Sequence, residues 1–193
     1  MKGLPCIGGA ISRDIKHSII PYLDEVDEVA SIIQSVNTVI VVDTKNEKKK
    51  KGIKLKGYNT DALGFRNAIQ NGIQQSQLNV KSAVIYGYGG VTNVVVAILR
   101  EFNINMYLTG RNVTTIEQRA KELNINIWSP TIQVDLFVNA TPATELPLTE
   151  SLNLLESLSG CKMAFDHSMP GVYLEEYCKQ HGIYHIKGKK TTL

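Results

Sequence analysis

Lys81-Ser-Ala-Val-Ile-Tyr-Gly-Tyr-Gly-Gly-Val-Thr-Asn-Val-Val-Val-Ala-Ile-Leu-Arg100 is the stretch whose reading decides the fold. Ala83 to Tyr86 is a short apolar run of strand formers, and it stops at Gly87. From Gly90 onward Val91, Val94, Val95, Ile98 and Leu99 recur at three- and four-residue spacing, the period of a helix. The pattern predicts strand, glycine turn, helix. Gly87, Gly89 and Gly90 allow a tight turn whose backbone N–H groups can approach a pyrophosphate at the helix N-terminus, where the dipole favours negative charge. Gly-x-Gly alone says little; a strand before it and a helix behind it make it a dinucleotide fingerprint. Thr92 stands where that fingerprint usually has its third glycine.

The next turn refines the expectation. Asn105-Met-Tyr-Leu-Thr-Gly-Arg-Asn112 reads as a second short strand running into a polar turn. A fold that prefers NAD places Asp or Glu about 20 residues past the glycines to hold the ribose 2′-hydroxyl. Here the turn offers Thr109, Gly110, Arg111 and Asn112, with no acid. Arg111 keeps its charge and its planar fork suits a phosphate, so the expected cofactor is NADP, held through its 2′-phosphate. The competing reading of Arg111 is an arginine solvated on a loop.

Outward from this core, 193 residues make one full domain and part of another. A net charge of +3, with no basic stripe interleaved with aromatics, gives no indication of a nucleic-acid partner. Cys6, Cys161 and Cys178 are odd in number and form no C-x-x-C pair. His181 and His185 are separated by the helix-breaking Gly182 and have no Cys or acid to complete a metal set. Reduced thiols in a cytosolic protein without a structural metal are expected. No apolar run is long enough to span a membrane, and Met1-Lys-Gly-Leu does not begin a signal peptide.

Taken in order, Leu4 to Ser12 is expected as a buried strand, followed by a short helix from about Ile15 capped by Asp14. Tyr22 to Ser35 has apolar residues at Leu23, Val26, Val29, Ala30 and Ile33, which predicts one amphipathic helix. Asn37 to Val42 and Ile53 to Tyr58 read as strands about a lysine-rich turn over 45–52, a solvated tip rather than an anion site. A helix from Ala62 to Gln70 precedes a linker at Asn71–Ser76, placing the domain boundary between residues 76 and 77. Beyond Arg111 come a helix from Thr114 to Leu123 with a Glu117–Lys121 pair, strands near Ile125–Trp128 and Asp135–Ala140, and a loop from Thr141 to Pro147. A helix at Leu152–Leu158, a strand at Cys161–Asp166, a helix at Val172–Gln180 and a strand at Ile183–Ile186 complete the pattern. Such alternation predicts an α/β fold: a doubly wound parallel Rossmann-like domain over 77–193, preceded by an incomplete α/β domain over 1–76.

Seven pieces then carry a resemblance to the shikimate dehydrogenase family, including its quinate-active and dehydrogenase-like members. They are Gly8-Gly-Ala-Ile-Ser-Arg-Asp-Ile-Lys16, Ser35-Val-Asn-Thr38, Tyr58-Asn-Thr-Asp61, Gly87-Tyr-Gly-Gly90, Gly110-Arg-Asn112, Val138-Asn-Ala-Thr-Pro142 and Lys187-Gly188. They fall in the family's order and spacing over nearly the whole chain.

The resemblance implies a pocket in which Lys16 and Asp61 flank the hydroxyl that is oxidised, with Asn37 and Ser12 binding the substrate, shikimate or quinate. It also assigns Asn139 and Thr141, with Gly87, Gly89, Gly90, Arg111 and Asn112, to the nucleotide. Oxidising a secondary alcohol requires a hydride acceptor and a base for the proton, and a lysine can be that base where burial disfavours its charge. Without the resemblance, Lys16 reads as a surface lysine and Asp61 as a helix cap. Three departures stand out: Asp14 replaces a proline, Ala10 replaces an asparagine, and no Gly-Met follows Asn139-Ala-Thr-Pro142. The family's N-terminal serine pair and its late glutamine find no counterpart, so the chain reads as a fragment, or a degenerate member, of a longer protein. A non-catalytic regulator that binds shikimate or quinate is the alternative. A methyltransferase is disfavoured by Arg111 standing where an acid would hold ribose hydroxyls.

Overall fold

The structure, a computed structural model, describes residues 7–12, 15–43, 53–142, 152–167 and 172–186. In the first part of the chain, β1 (Gly8–Ala10), β2 (Glu25–Val26), β3 (Thr38–Asp43) and β4 (Ile53–Tyr58) form a mixed sheet in the order β1-β3-β4-β2. β3 and β4 are an antiparallel pair running from Thr38 opposite Tyr58 to Asp43 opposite Ile53, while β2 adds to β4 in parallel. α1 (Glu28–Ile33) carries the buried Ala30 and Ile33. Three expectations change here. β1 is short and largely exposed rather than buried. The expected helix over Tyr22–Ser35 is a 3-10 turn at Ile20–Tyr22, then β2, then the six residues of α1. The physical reason is competition from β4: Asp24 N–H donates to the Leu55 carbonyl at 3.0 Å, and the Asp24 carboxylate accepts from Leu55 N–H at 2.7 Å. Asp27 then starts α1 by accepting from Val29 and Ala30 N–H. The third is the expected short helix from about Ile15, which is a single turn closed by Ile19 N–H on the Ile15 carbonyl at 3.1 Å; Asp14, its expected cap, and the lysine tip at 45–52 lie outside the described residues.

α2 (Thr60–Ser76) runs through the expected linker. The chain divides into two compact units, Met1–Leu63 and Gly64–Leu193, a boundary inside α2 rather than at residue 76. Gly72, part of the expected linker, lies within the helix, and space favours glycine there: a Cβ would lie 2.7 Å from Ile186 Cδ1. A mid-helix glycine costs roughly 1 kcal/mol against alanine, and close packing on Ile186 is what it permits.

The second unit holds β5 (Ser82–Tyr86), α3 (Gly90–Glu101), β6 (Asn105–Thr109), α4 (Val113–Leu123), β7 (Asn126–Ile127), β8 (Leu136–Asn139), α5 (Leu152–Leu158), β9 (Met163–Asp166), α6 (Val172–His181) and β10 (Tyr184–Ile186). Six strands form a parallel sheet in the order β7-β6-β5-β8-β9-β10, so the first strand in sequence is central and the order reverses between β5 and β8. That is the doubly wound arrangement, whose crevice lies outside the carboxyl ends of the strands at the reversal. Its central strands read as continuous apolar runs because both faces are covered. On one face Val84, Tyr86, Phe137 and Ala164 pack with Leu154, Leu158, Leu174 and Cys178 of α5 and α6. On the other, the Phe165 ring meets Phe65 of α2 at 4.9 Å. Cys161 and Cys178 are free and buried, and burial pushes both thiols up to about 12. On α4 the ion pair is Arg119–Glu122 at 2.6 Å rather than the expected Glu117–Lys121.

Asp135, just ahead of β8, binds the strands' amino ends. One carboxylate oxygen accepts from Lys81 N–H, Ser82 N–H and the Ser82 hydroxyl, and the other from Lys162 Nζ at 2.9 Å. Burial pushes its pKa up, but Lys162 and the other donors outweigh this and hold it below the ordinary aspartate value. A depressed folded value means stability present above the unfolded value of about 3.9 and lost as pH falls through the folded one. Asp135→Asn should therefore cost about 1–2 kcal/mol at neutral pH, and the gap should close in acid. Urea denaturation across pH checks this; a gap independent of pH would reject it.

Candidate functional site

Lys16 and Asp61 are distant in sequence, yet Lys16 Nζ donates to Asp61 Oδ2 at 3.0 Å. Backbone bonds produce the meeting. Val36 N–H donates to the Lys16 carbonyl at 2.9 Å and Asn37 N–H to the Tyr58 carbonyl at 3.0 Å, which gathers the Lys16 turn, the start of β3 and the start of α2. Asn59, not Asp61, caps α2, accepting from Ala62 N–H at 3.0 Å, and Asp27 accepts from Asn59 N–H at 3.1 Å. Asp61 sits in the helix's first turn with its side chain 55% exposed, against 29% for Lys16. A pair that open adds little to stability, and it can be reached by a ligand.

Asn37 lies beside it and is nearly buried. Its side-chain oxygen accepts from Thr60 N–H at 2.9 Å, from the Thr60 hydroxyl at 3.2 Å and from the Thr38 hydroxyl at 3.0 Å. Because a backbone N–H can only donate, this fixes the amide's orientation. Among the described residues nothing accepts from Asn37 Nδ2, which leaves it as a donor. Ile11 N–H donates to the Asn37 carbonyl at 2.8 Å, bringing the exposed Ser12 next in line; its hydroxyl makes no hydrogen bond among the described residues. All four residues expected for chemistry and substrate therefore come together within the first unit. Thr60, which sets Asn37, was missed; it reads as an ordinary helix start.

In the second unit Gly87 has φ +122° and donates its N–H to the Thr109 carbonyl at 2.9 Å. Thr92, the departure from the fingerprint, is fully buried and its hydroxyl donates to the Gly87 carbonyl at 3.0 Å, tying the loop from within. Gly89 and Gly90 differ: a Cβ at either would meet nothing within 4 Å. The chain's own packing does not require glycine there, whereas a group lying on the α3 N-terminus would.

Arg111 is exposed and makes no hydrogen bond or ion pair with the described residues. Asn112 caps α4, accepting from Thr115 N–H at 3.0 Å. Asn139 is fully buried: its Nδ2 donates to the Thr141 carbonyl at 2.7 Å and to Asp166 Oδ1 at 2.8 Å, while its Oδ1 accepts from Thr141 N–H and hydroxyl. These bonds make Asn139 the residue that shapes the Thr141 turn. Among the described residues no group of three or more His, Cys, Asp or Glu could hold a metal ion, and no helix is long and apolar enough to cross a membrane.

Comparison with known proteins decides what this arrangement belongs to. The chain is 30% identical over 186 residues to the shikimate dehydrogenase (NADP(+)) of Pelagibacter ubique, matching 93% of this chain and 66% of that protein. It is 38% identical over 125 residues to the enzyme of the same name from Halothermothrix orenii, 64% of this chain and 38% of the relative. A crystal structure of a shikimate dehydrogenase in complex with NADP+ superposes with TM-score 0.69 at 28% identity, covering 94% of this chain and 65% of that one. The chain belongs to the shikimate dehydrogenase family.

No family model matches it, and it spans about two thirds or less of the length of these family members. The shikimate dehydrogenase fold accounts for the strand order around β5. The donor set fits the family's dinucleotide: open backbone at Gly89 and Gly90, and a cation with no partner among the described residues at Arg111. The family-length motif ends, Arg13–Asp14 and Lys187–Gly188, lie outside the described residues.

Proposed function

We propose that the chain carries the catalytic pair and the nucleotide crevice of an NADP-linked dehydrogenase interconverting 3-dehydroshikimate and shikimate, or acting on quinate. The observation that carries this reading is the 3.0 Å contact of Lys16 with Asp61 beside the donor-only amide of Asn37. Oxidation of the alcohol breaks a C–H bond, whose electron pair leaves as hydride, and an O–H bond, whose proton goes to a base. NADP+, when bound, supplies the hydride acceptor. Lys16 takes the hydroxyl proton, Asp61 orients it, and Asn37 Nδ2 donates to the substrate oxygen, with Ser12 at the pocket's edge. The N–H groups from Tyr88 to Gly90 and the α3 terminus receive the pyrophosphate, Arg111 the 2′-phosphate, and Thr141, held by Asn139, borders the same crevice.

The assay follows reduction of NADP+ with shikimate or quinate, on this chain and on a chimera carrying the remaining segments of a full-length relative. The chimera should turn over and the chain alone should be weak, because remote contacts position the reacting carbon. A chimera that binds shikimate but never reduces NADP+ would give the non-catalytic regulator instead. The cofactor has its own test. Arg111→Ala should remove the preference for NADP+ over NAD+, a change of about tenfold or more. Equal affinities in the unmodified chain by calorimetry would reject the assignment.

A further inference from the structure

Tyr86 ends β5 at the point where the strand order reverses. Its register partners are Thr109, the last residue of β6, and Asn139, the last residue of β8. Those two strands carry Arg111 and Thr141 just beyond their ends, so Tyr86 lies at the centre of the crevice lip. Its side chain is 1% exposed, and among the described residues its hydroxyl has no hydrogen-bond partner. Phenylalanine would fill the same space without stranding a polar group, and a buried unmet hydroxyl lowers stability. The packing around Tyr86 therefore accounts for the ring and leaves the oxygen unexplained. The Arg111 guanidinium is near enough for its charge to act on the phenol, opposing the rise that burial imposes. A hydroxyl and a cation, neither of them matched among the described residues, thus meet at one lip.

We propose that Tyr86 is a specificity-determining residue: its hydroxyl donates to the phosphate monoester that Arg111 holds, and its hydrogen bond is made only when that phosphate is bound. The inference rests on the nucleotide reading above and goes beyond it. The hydroxyl is covered in the free chain, so the contact forms as the Arg111 turn rearranges on its ligand.

The test is Tyr86→Phe, titrated with NADP+, NAD+ and adenosine 2′,5′-bisphosphate by calorimetry, alongside urea denaturation. Stability should hold or rise. Affinity for NADP+ and the bisphosphate should fall about tenfold, and affinity for NAD+ should stay within about twofold. Unchanged NADP+ affinity, an equal fall for NAD+, or a loss of stability would each overturn the proposal. If the unmodified chain binds none of the three, the nucleotide reading falls and this one with it. If it prefers NADP+ and the Phe variant keeps the whole preference, only the role of Tyr86 falls.

Discussion

Lys16→Ala should lower dehydrogenase turnover of the chimera by about 10²- to 10⁴-fold, the range for removing a positioned acid–base group, while NADP+ affinity stays within about twofold. The two readouts are separable because Lys16 lies in the first compact unit and Gly87 to Arg111 in the second. Lys16→Arg sharpens the test. Arginine can keep the ion pair with Asp61 but does not release its proton near neutral pH. A base at this position predicts that the arginine variant is as inactive as the alanine one. An arginine variant with near-normal turnover would mean that residue 16 supplies charge alone, and the assignment of the base would be wrong.

Gly87→Ala should be the most destabilising single change in the glycine turn. At φ +122° an L side chain is strained, and the added Cβ would lie 2.5 Å from Thr141 Cγ2 and 3.3 Å from the Ala140 carbonyl oxygen. Backbone strain of about 1–3 kcal/mol and overpacking of about 1–3 kcal/mol together predict a loss of about 2–6 kcal/mol. Gly89→Ala, with open space at its Cβ, should leave stability nearly unchanged and weaken nucleotide binding. Urea denaturation distinguishes them; a Gly87 variant within about 0.5 kcal/mol of the parent would show that the turn relaxes freely.

These contrasts show what sequence could and could not reveal. β5, its turn and α3 were legible because a buried strand and an amphipathic helix advertise themselves through local periodicity. β4 emerged with the bounds expected for it, and β6 starts at Asn105 as expected but runs on through Thr109. The segment over Tyr22–Ser35 was not legible, because its apolar spacing is helical while its conformation is set by Leu55 and Gly57, which take backbone bonds from Asp24 and Asp27. Gly72 misled for a similar reason: the residue that demands a glycine is Ile186, at the far end of the chain. The Lys16–Asp61 meeting became readable only through the family resemblance, since neither residue type nor spacing announces it. Thr92 looked like a weakened motif and is a tie within the loop. Tyr86 escaped notice because tyrosine belongs in a strand, and an unmet hydroxyl has no signature in one dimension.

If Asn37 binds the substrate as proposed, its lock bears on the direction of the chemistry. With its oxygen committed to Thr60 and Thr38, the side chain offers an incoming molecule only N–H hydrogens. An alcohol and a ketone both present lone pairs to such a donor, so the contact survives the interconversion without any flip of the amide. An asparagine free to rotate could turn its own carbonyl toward a hydroxyl hydrogen and so hold the reduced molecule in a way the oxidised one cannot match. By forbidding that rotation, Thr60 keeps this anchor even-handed, and the position of equilibrium on the protein is left to the cofactor couple and the proton.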